Sequence, residues 1–348
     1  MGIYVRSIVS VVPREVVGEE DIIKRFGKEN AVKIINTTGV KEKHIAKDRS
    51  TLELAFEAGK YALEKGKVTA DEIDGIVMVT QTPEYRIPPT SCMLQKKLGV
   101  PDKCFAFDID LGCSGFPYGY IVSSSLINSH MLNRILLICG DVTSMNAAPD
   151  DQSTNPLFAD GFGAVILEEN ENKLDSLLGH SFGTDGSGWK NLVIHTGLSH
   201  HKTKESFYES GDSLKYPEVK YPDYVYMDGG QIFTFCLRRV PAMLNDALES
   251  AKLDINDVDT YCFHQANSFL IQHLGKKIGI PENKIPFCIE RYGNTSSSSV
   301  LLAACDAYGE NQEEKEKKIA FLAFGVGYSW ATVILNIEPQ VIGTIREV

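Results

Sequence analysis

Residues 108–120, Asp-Ile-Asp-Leu-Gly-Cys-Ser-Gly-Phe-Pro-Tyr-Gly-Tyr, place a single cysteine, Cys113, between two glycines. The preceding run, 104–107, is apolar and β-prone, and the following run, 118–132, has the small and apolar residues of a buried helix. We therefore predict Cys113 at a helix N-terminus, where free N–H groups and the helix dipole favour a thiolate and lower its pKa. The stretch alone leaves open a second interpretation, a small unreactive cysteine buried at a tight turn.

The composition is that of an ordinary soluble protein. The chain has 348 residues, 43% hydrophobic and 23% charged, and a net charge of −11 that argues against nucleic-acid binding. Arg6 and Pro13 interrupt the one early apolar run, so we expect no signal peptide, and no run is long enough to span a membrane. The eight cysteines are dispersed without a CxxC pair, which is typical of reduced thiols, so we predict a cytoplasmic protein.

Strand-like and helix-like runs alternate along the chain, which predicts an α/β fold with mainly parallel sheets covered by helices. Residues 71–80 resemble 256–265 in pattern, and 133–140 resemble 317–324 in the same order, which indicates an internal duplication. Ser50 and Glu53 form a capping box before a predicted helix at 51–65. Residues 197–225 are polar and predict a long functional or mobile insertion.

Three further stretches carry residue types suited to catalysis. His264 follows an apolar strand directly, where the sites of parallel sheets assemble, although a structural histidine is the simpler alternative. Asn294 lies in a Gly-Asn-Thr turn that can also be a plain Asx turn, and the serines at 296–299 either hold Asn294 or begin a helix. The Gly-Val-Gly turn at 325–327 can present backbone N–H groups to a ligand.

Taken together, these stretches resemble the β-ketoacyl-ACP synthase III family of the thiolase superfamily. The pairing of His-Gln-Ala-Asn with Gly-Asn-Thr distinguishes this family from elongating synthases, which use a second histidine, and from thiolases, which use a second cysteine. The pieces that match, in family order, are Thr38-Gly39-Val40, His44-Ile45, 108–118, 158–163, 227–229, 264–267, 293–295, 324–327 and Trp330.

The resemblance implies a thiolase-like, duplicated five-layer α-β-α-β-α sandwich. Its N-terminal half would span residues 1–170 and carry the nucleophile, and its C-terminal half would span 171–348. The implied catalytic residues are Cys113, His264 and Asn294, with the backbone N–H groups of Cys113 and Val326 as the oxyanion hole. Family members are typically homodimers.

The resemblance also implies an acyl pocket. Ile87 matches the position that lends an apolar side chain to the partner's pocket, with an ordinary loop residue as the alternative. Phe324 is expected to line the site, with simple core packing as the alternative.

The implied reaction has two steps. Cys113 is acylated by an acyl-CoA or another acyl thioester, and a malonyl thioester on acyl carrier protein then loses CO2 and condenses to a 3-oxoacyl thioester. No cofactor is needed. Two alternatives stay open: an acyltransferase that moves the acyl group to oxygen, nitrogen or sulfur without decarboxylation, and a non-catalytic partner subunit.

The entrance departs from the family pattern. Lys33 and Thr37 stand where the best-known members have a Trp and an Arg that clamp CoA, and Phe269 replaces an Arg that receives the carrier protein. We therefore expect a primer other than acetyl-CoA, or a specialised pathway. Four basic residues are expected to dock the acidic carrier protein, with solvated helix charge as the alternative. They are Arg238, Arg239, Lys276 and Lys277.

The histidines of the insertion region raise the question of a metal site. No carboxylate or cysteine shares a ligand-like spacing with His195, His200 and His201 along the chain. The sequence therefore predicts no metal ion.

Overall fold

The computed structural model describes residues 2–170 and 175–348. The predicted boundary between the halves, at 170 and 171, adjoins residues that lie outside this description. The strands are β1 (Gly2–Val12), β2 (Glu15–Val17), β3 (Lys43–Ile45), β4 (Gly75–Val79), β5 (Phe105–Ile109), β6 (Arg134–Val142), β7 (Asp160–Asn170), β8 (Leu177–Thr184), β9 (Leu192–Val193), β10 (Tyr226–Met227), β11 (Thr260–Phe263), β12 (Lys317–Gly325), β13 (Ser329–Ile337) and β14 (Ile342–Glu347). The α-helices are α1 (Glu19–Phe26), α2 (Lys28–Thr38), α3 (Thr51–Gly66), α4 (Thr90–Leu98), α5 (Gly115–Asn128), α6 (Lys204–Glu209), α7 (Asp212–Lys215), α8 (Gly229–Ala251), α9 (Ser268–Ile278), α10 (Ile289–Tyr292) and α11 (Ser299–Tyr308).

Two sheets form the framework of the molecule. The first has the order β14-β1-β7-β6-β4-β5, and the second has the order β11-β12-β13-β8. Apart from β14, the strands of the first sheet precede those of the second along the chain. The C-terminal strand β14 pairs with β1 and so ties the end of the chain to its beginning.

Helices fill three layers around these sheets. Between the sheets, α5 contacts β4, β6 and β7 on one side and β12 and β13 on the other, and α11 likewise contacts both sheets. On the outside, α3 and α4 cover the first sheet, while α8 covers the second and carries α9 on it. The central helices are buried on most of their surface, which explains the apolar and small residues of the run after Cys113. The arrangement has five layers, α-β-α-β-α.

The prediction of mainly parallel sheets is wrong, because both sheets are mixed. The pairs β1–β14, β4–β5, β4–β6 and β11–β12 are parallel, whereas β1–β7, β6–β7, β12–β13 and β13–β8 are antiparallel. A helix crosses between the paired parallel strands, and three residues join β12 to β13, which permits only an antiparallel hairpin. The repeated strand patterns carried no information about strand direction.

Local features predicted for α3 are confirmed. The Glu53 N–H donates to the Ser50 hydroxyl at 3.3 Å, and the Ser50 N–H donates to the Glu53 carboxylate at 3.0 Å. This capping box satisfies two of the N–H groups that a helix start leaves unpaired.

The insertion at 197–225 is partly helical. It contains α6 and α7, and Phe207 is fully buried within it. None of the helices in the described ranges is both long and apolar enough to cross a membrane.

Candidate active site

Cys113 lies where the sequence predicts it, in the turn between β5 and the first residue of α5. Its sulfur receives backbone N–H contacts from Val326 and from Cys113 itself. These are the two groups expected to form the oxyanion hole, and the fold brings both to the nucleophile. Val326 comes from the second sheet, so the site is assembled across the two halves.

The predicted lowering of the Cys113 pKa is not what the structure gives. Burial is the largest influence and raises the pKa of the thiol to about 11, although the N–H contacts from Val326 and Cys113 act to lower it. A thiolate buried this deeply loses more stabilisation by water than the N–H groups of the helix N-terminus supply. The free enzyme therefore holds a protonated thiol at neutral pH.

Close packing against a glycine positions the Cys113 sulfur. Gly325 has φ +159°, and a Cβ added there would lie 2.6 Å from the Cys113 sulfur, well inside contact distance. The two turns are also linked by a 2.7 Å hydrogen bond between the hydroxyls of Ser114 and Ser329, and the Ser329 hydroxyl donates to the Val326 carbonyl at 2.7 Å. These contacts hold the Val326 N–H in place against the sulfur.

His264 follows β11 directly and is almost fully buried. Its Nδ1 lies 2.6 Å from the Ser299 hydroxyl, which also accepts the Gln265 N–H at 3.2 Å. Burial lowers the pKa of His264 to about 4, against a backbone contact from Ser296 that raises it. The imidazole is therefore neutral at physiological pH.

Asn294 is held by its backbone and by its side-chain oxygen. Its N–H donates to the Leu157 carbonyl at 2.9 Å, and its own carbonyl accepts the Ala159 N–H at 2.9 Å. The Ser296 N–H donates to Asn294 Oδ1 at 3.0 Å. Because the oxygen is engaged, Nδ2 is the amide group left for the cavity.

The serine run serves both purposes that the sequence left open. Ser296 holds the side chain of Asn294, and Ser299 begins α11 while holding His264. The role of Ser299 was missed, because a run of identical residues does not indicate which hydroxyl meets the histidine.

One cavity of about 610 Å³ gathers these residues. Cys113, His264, Asn294 and Phe324 all line it, and the Phe324 ring meets the His264 ring edge-on with centroids 5.8 Å apart. Lys33, Thr37 and Phe269 line the same cavity and all three are exposed, so the positions that depart from the family pattern lie at its mouth. The sequence reasoning missed Cys236, a second buried thiol that lines it.

Ile87 does not line this cavity. It is 85% exposed in the loop before α4, so within one chain it remains apart from the catalytic residues. Val326 contributes its N–H to the sulfur, while its side chain lies toward Gly112 and does not narrow the cavity.

The four basic residues lie on two adjacent helices, but they are not equivalent. Lys276 and Lys277 are exposed on α9, and the Lys277 ammonium donates to the Leu237 carbonyl of α8 at 2.9 Å. Arg238 is exposed and lies 3.7 Å from Asp185. Arg239 is half-buried with its guanidinium over the Trp330 ring at 4.9 Å, which gives it a structural contact.

The fold brings a carboxylate to the histidines of the insertion. Asp212 Oδ2 lies 2.7 Å from His201 Nε2 and 3.7 Å from His200 Nε2. Spacing along the chain does not indicate this contact, because only the fold brings Asp212 to the two histidines.

Two parts of the chain match models of one known protein family. Residues 107–186 match the family model of 3-oxoacyl-[acyl-carrier-protein (ACP)] synthase III, and residues 248–337 match the model of its C-terminal part. The chain is 31% identical over 336 residues to the beta-ketoacyl-[acyl-carrier-protein] synthase III of Streptococcus pneumoniae, covering 96% of this chain and 98% of that one.

Solved structures match over nearly the full length. The 3-oxoacyl-(acyl-carrier protein) synthase of Burkholderia xenovorans LB400 is 33% identical with a TM-score of 0.92, covering 100% of this chain and 97% of that chain. The priming beta-ketosynthase of the R1128 polyketide biosynthetic pathway is 26% identical with a TM-score of 0.85, covering 97% of each chain. These matches confirm the predicted duplicated five-layer fold.

Proposed function

Because the chain belongs to the 3-oxoacyl-[acyl-carrier-protein] synthase III family, and is therefore an acyl-transferring condensing enzyme, we propose how its residues divide that work. The observation that carries the proposal is the common cavity of Cys113, His264 and Asn294, with two backbone N–H groups on the sulfur. An acyl-enzyme forms on Cys113, and decarboxylative condensation follows in the same cavity.

In the first step the Cys113 sulfur attacks the carbonyl carbon of an acyl thioester. A carbon–sulfur bond forms to Cys113, the bond to the carrier thiol breaks, and the proton lost from Cys113 leaves with that thiol. The carbonyl oxygen becomes negative at the tetrahedral stage and takes the N–H groups of Cys113 and Val326, which the resting structure aims at the sulfur. Each donor of this kind lowers the barrier by about 3–4 kcal/mol.

In the second step a malonyl thioester loses CO2, and the electron pair of the broken carbon–carbon bond forms an enolate. The thioester oxygen then needs hydrogen-bond donors that are neutral, and His264 and Asn294 are both neutral here. We assign the Ser299 hydroxyl proton to the 2.6 Å contact with His264 Nδ1, so that Nε2 carries the hydrogen that meets the enolate. Asn294 supplies Nδ2–H. The enolate carbon bonds to the acyl carbon and releases Cys113.

The residues at the mouth of the cavity favour a primer other than acetyl-CoA. Lys33 and Phe269 present a cation and an exposed aromatic ring there, and Phe269 stacks on Phe233 with centroids 5.9 Å apart. The relative from the R1128 pathway is a priming ketosynthase of polyketide synthesis. We propose a specialised primer of this general kind for the present chain, delivered by CoA or by a carrier protein.

Acyl carrier protein is the proposed partner for the malonyl unit. Arg238, Lys276 and Lys277 lie on α8 and α9, the helices that supply Phe233 and Phe269 to the mouth. An acidic carrier would meet these cations despite the net charge of −11 on the whole chain.

A homodimer is proposed from the exposed edge of the first sheet. β5 is an edge strand of that sheet, and its Phe105 is 46% exposed, so this edge presents unpaired backbone groups together with an apolar side chain. Pairing two β5 strands would cover this edge and bring the exposed Ile87 toward the partner's acyl pocket.

The eight cysteines are all free, which supports a reducing, cytoplasmic location. The proposed chemistry needs no cofactor, because the thioesters supply both the acyl group and the carboxylate that leaves as CO2.

Intact-protein mass measurement tests the nucleophile. The protein is incubated with a panel of acyl-CoA and acyl-carrier thioesters, and the wild type is expected to gain the mass of one acyl group. Cys113→Ala is expected to gain none, and Cys236→Ala serves as the matched control with a thiol removed from the same cavity. An acyl adduct on Cys113→Ala, or no adduct on the wild type with any donor, would refute the acyl-enzyme.

A further inference from the structure

The insertion carries a compact group of nitrogen and oxygen donors outside the catalytic cavity. One ring nitrogen each of His200 and His201 and a carboxylate oxygen of Asp212 all lie within 4.8 Å of one another. Two ligand atoms of a tetrahedral zinc ion lie about 3.4 Å apart, because each bond is about 2.0–2.2 Å long. The Asp212 oxygen already lies 2.7 and 3.7 Å from the two histidine nitrogens. A rotation of the exposed His200 side chain that brings its nitrogen closer to that of His201, by at most about 1.4 Å, would let all three atoms bind one ion.

A buried imidazole beside this group gives a second, independent observation. His195 is 7% exposed, and its Nε2 has no hydrogen-bond partner among the described residues. The rings of His195 and His201 both pack on Phe207, with centroids 5.1 and 5.5 Å from it. An unsatisfied buried nitrogen is costly, and a water molecule bound to an ion at the site would give it a partner.

We propose that His200, His201 and Asp212 bind one divalent transition-metal ion of the zinc type. Imidazole and carboxylate are the donors that such ions take in proteins, and three protein ligands leave a fourth position for water. The Lys215 ammonium lies 2.6 Å from Asp212 Oδ1, so the carboxylate would bind the ion through Oδ2 alone.

The site would stabilise the insertion and would take no part in acyl transfer. His200 and His201 precede α6, and Asp212 begins α7, so the ion would close the segment that holds both short helices. A bond between these two points restricts the unfolded segment and favours its folded form. The side chain of His200 is 77% exposed, which gives the ion a route in.

The test uses the whole protein, stripped with a chelator and titrated with Co²⁺ and then Zn²⁺. We expect one equivalent of each ion to bind and raise the unfolding temperature. The Co²⁺ complex should show no thiolate-to-metal charge-transfer band, because the ligands are nitrogen and oxygen.

His200→Ala carries the test, because its exposed side chain can be removed without opening the buried His201–Asp212 pair. We expect it to unfold like the wild type without metal and to bind Zn²⁺ at least about tenfold more weakly, since even outer-shell changes cost about 10–100-fold. His130→Ala, at an exposed histidine elsewhere, should bind like the wild type. Absence of stoichiometric binding, a thiolate charge-transfer band, or unchanged affinity in His200→Ala would overturn the proposal.

Discussion

The floor and the mouth of the catalytic cavity are built in different ways. At the floor, Cys113, His264 and Asn294 are buried, each is held by named hydrogen bonds, and burial shifts two of their pKa values. At the mouth, Lys33 and Phe269 are exposed, and the Lys33 ammonium pairs only with Glu29 on its own helix among the described residues. In our proposal the floor carries out the chemistry, and the mouth selects the substrate. Variants of the two regions should therefore fail in different ways.

Asn294→Ala is expected to have the largest effect at the floor. It removes one of two proposed donors to the enolate, so condensation should fall about 10²–10³-fold. Acylation of Cys113 should remain, because its oxyanion donors are backbone groups of other residues. Intact mass and CO2 release, measured on the same sample, separate the two steps. A variant that condenses normally would remove Asn294 from the mechanism.

The pH dependence of Cys113 alkylation is the next largest effect. Burial raises the pKa of the thiol to about 11, so only a small fraction of it is ionised at neutral pH. This thiolate fraction grows about tenfold for each unit by which the pH rises toward the pKa. Iodoacetamide labelling of the Cys113 peptide should therefore accelerate about 100-fold between pH 7 and pH 9. A labelling rate that stops rising below pH 8 would show instead that the pKa of Cys113 is lowered, as the sequence predicts.

The sequence located the residues of the candidate site more accurately than it described their electrostatics. A cysteine between glycines, followed by a small-residue run, predicts both the turn and the buried helix α5, and both are present. The pKa of Cys113 was predicted in the wrong direction, because desolvation depends on what the second sheet places over the sulfur. Gly325 and Val326 lie more than 200 residues away along the chain, and no local pattern reports their approach.

The same limit applies to strand direction, to Ser299 and to the insertion. Buried strands have similar apolar patterns whether their neighbours are parallel or antiparallel. Ser299 is one of four consecutive serines, and only the fold brings it to His264. Asp212 follows His201 by eleven residues, and the two side chains meet only because the segment with α6 and α7 folds back on itself.

Ser299→Ala tests whether the floor depends on its supporting contacts. Loss of the hydroxyl frees the imidazole to turn or to change tautomer, and one such hydrogen bond is worth about 1 kcal/mol, or roughly a fivefold change in rate. The condensation rate should fall while acylation and the KM for the primer stay unchanged. Ser299→Thr keeps the hydroxyl and should recover activity. Equal loss of both steps would indicate a general structural role.

Phe269→Ala should have the smallest effect, and only at the mouth. The exposed ring contacts the incoming thioester in our proposal, so its loss should raise KM a few-fold and leave kcat near the wild-type value. Phe182→Ala removes an equally exposed ring that does not line the cavity and serves as the control. A fall in kcat with unchanged KM would place Phe269 in the chemistry and remove the distinction between the two regions.

The most direct test of the account is a chase of the isolated acyl-enzyme. Wild-type protein carrying one acyl group on Cys113 is freed of excess donor and mixed with a malonyl thioester in a single turnover. We predict one CO2 and one 3-oxoacyl thioester for each acyl group lost from the protein. Loss of the acyl group to an oxygen, nitrogen or sulfur acceptor without CO2 would contradict decarboxylative condensation.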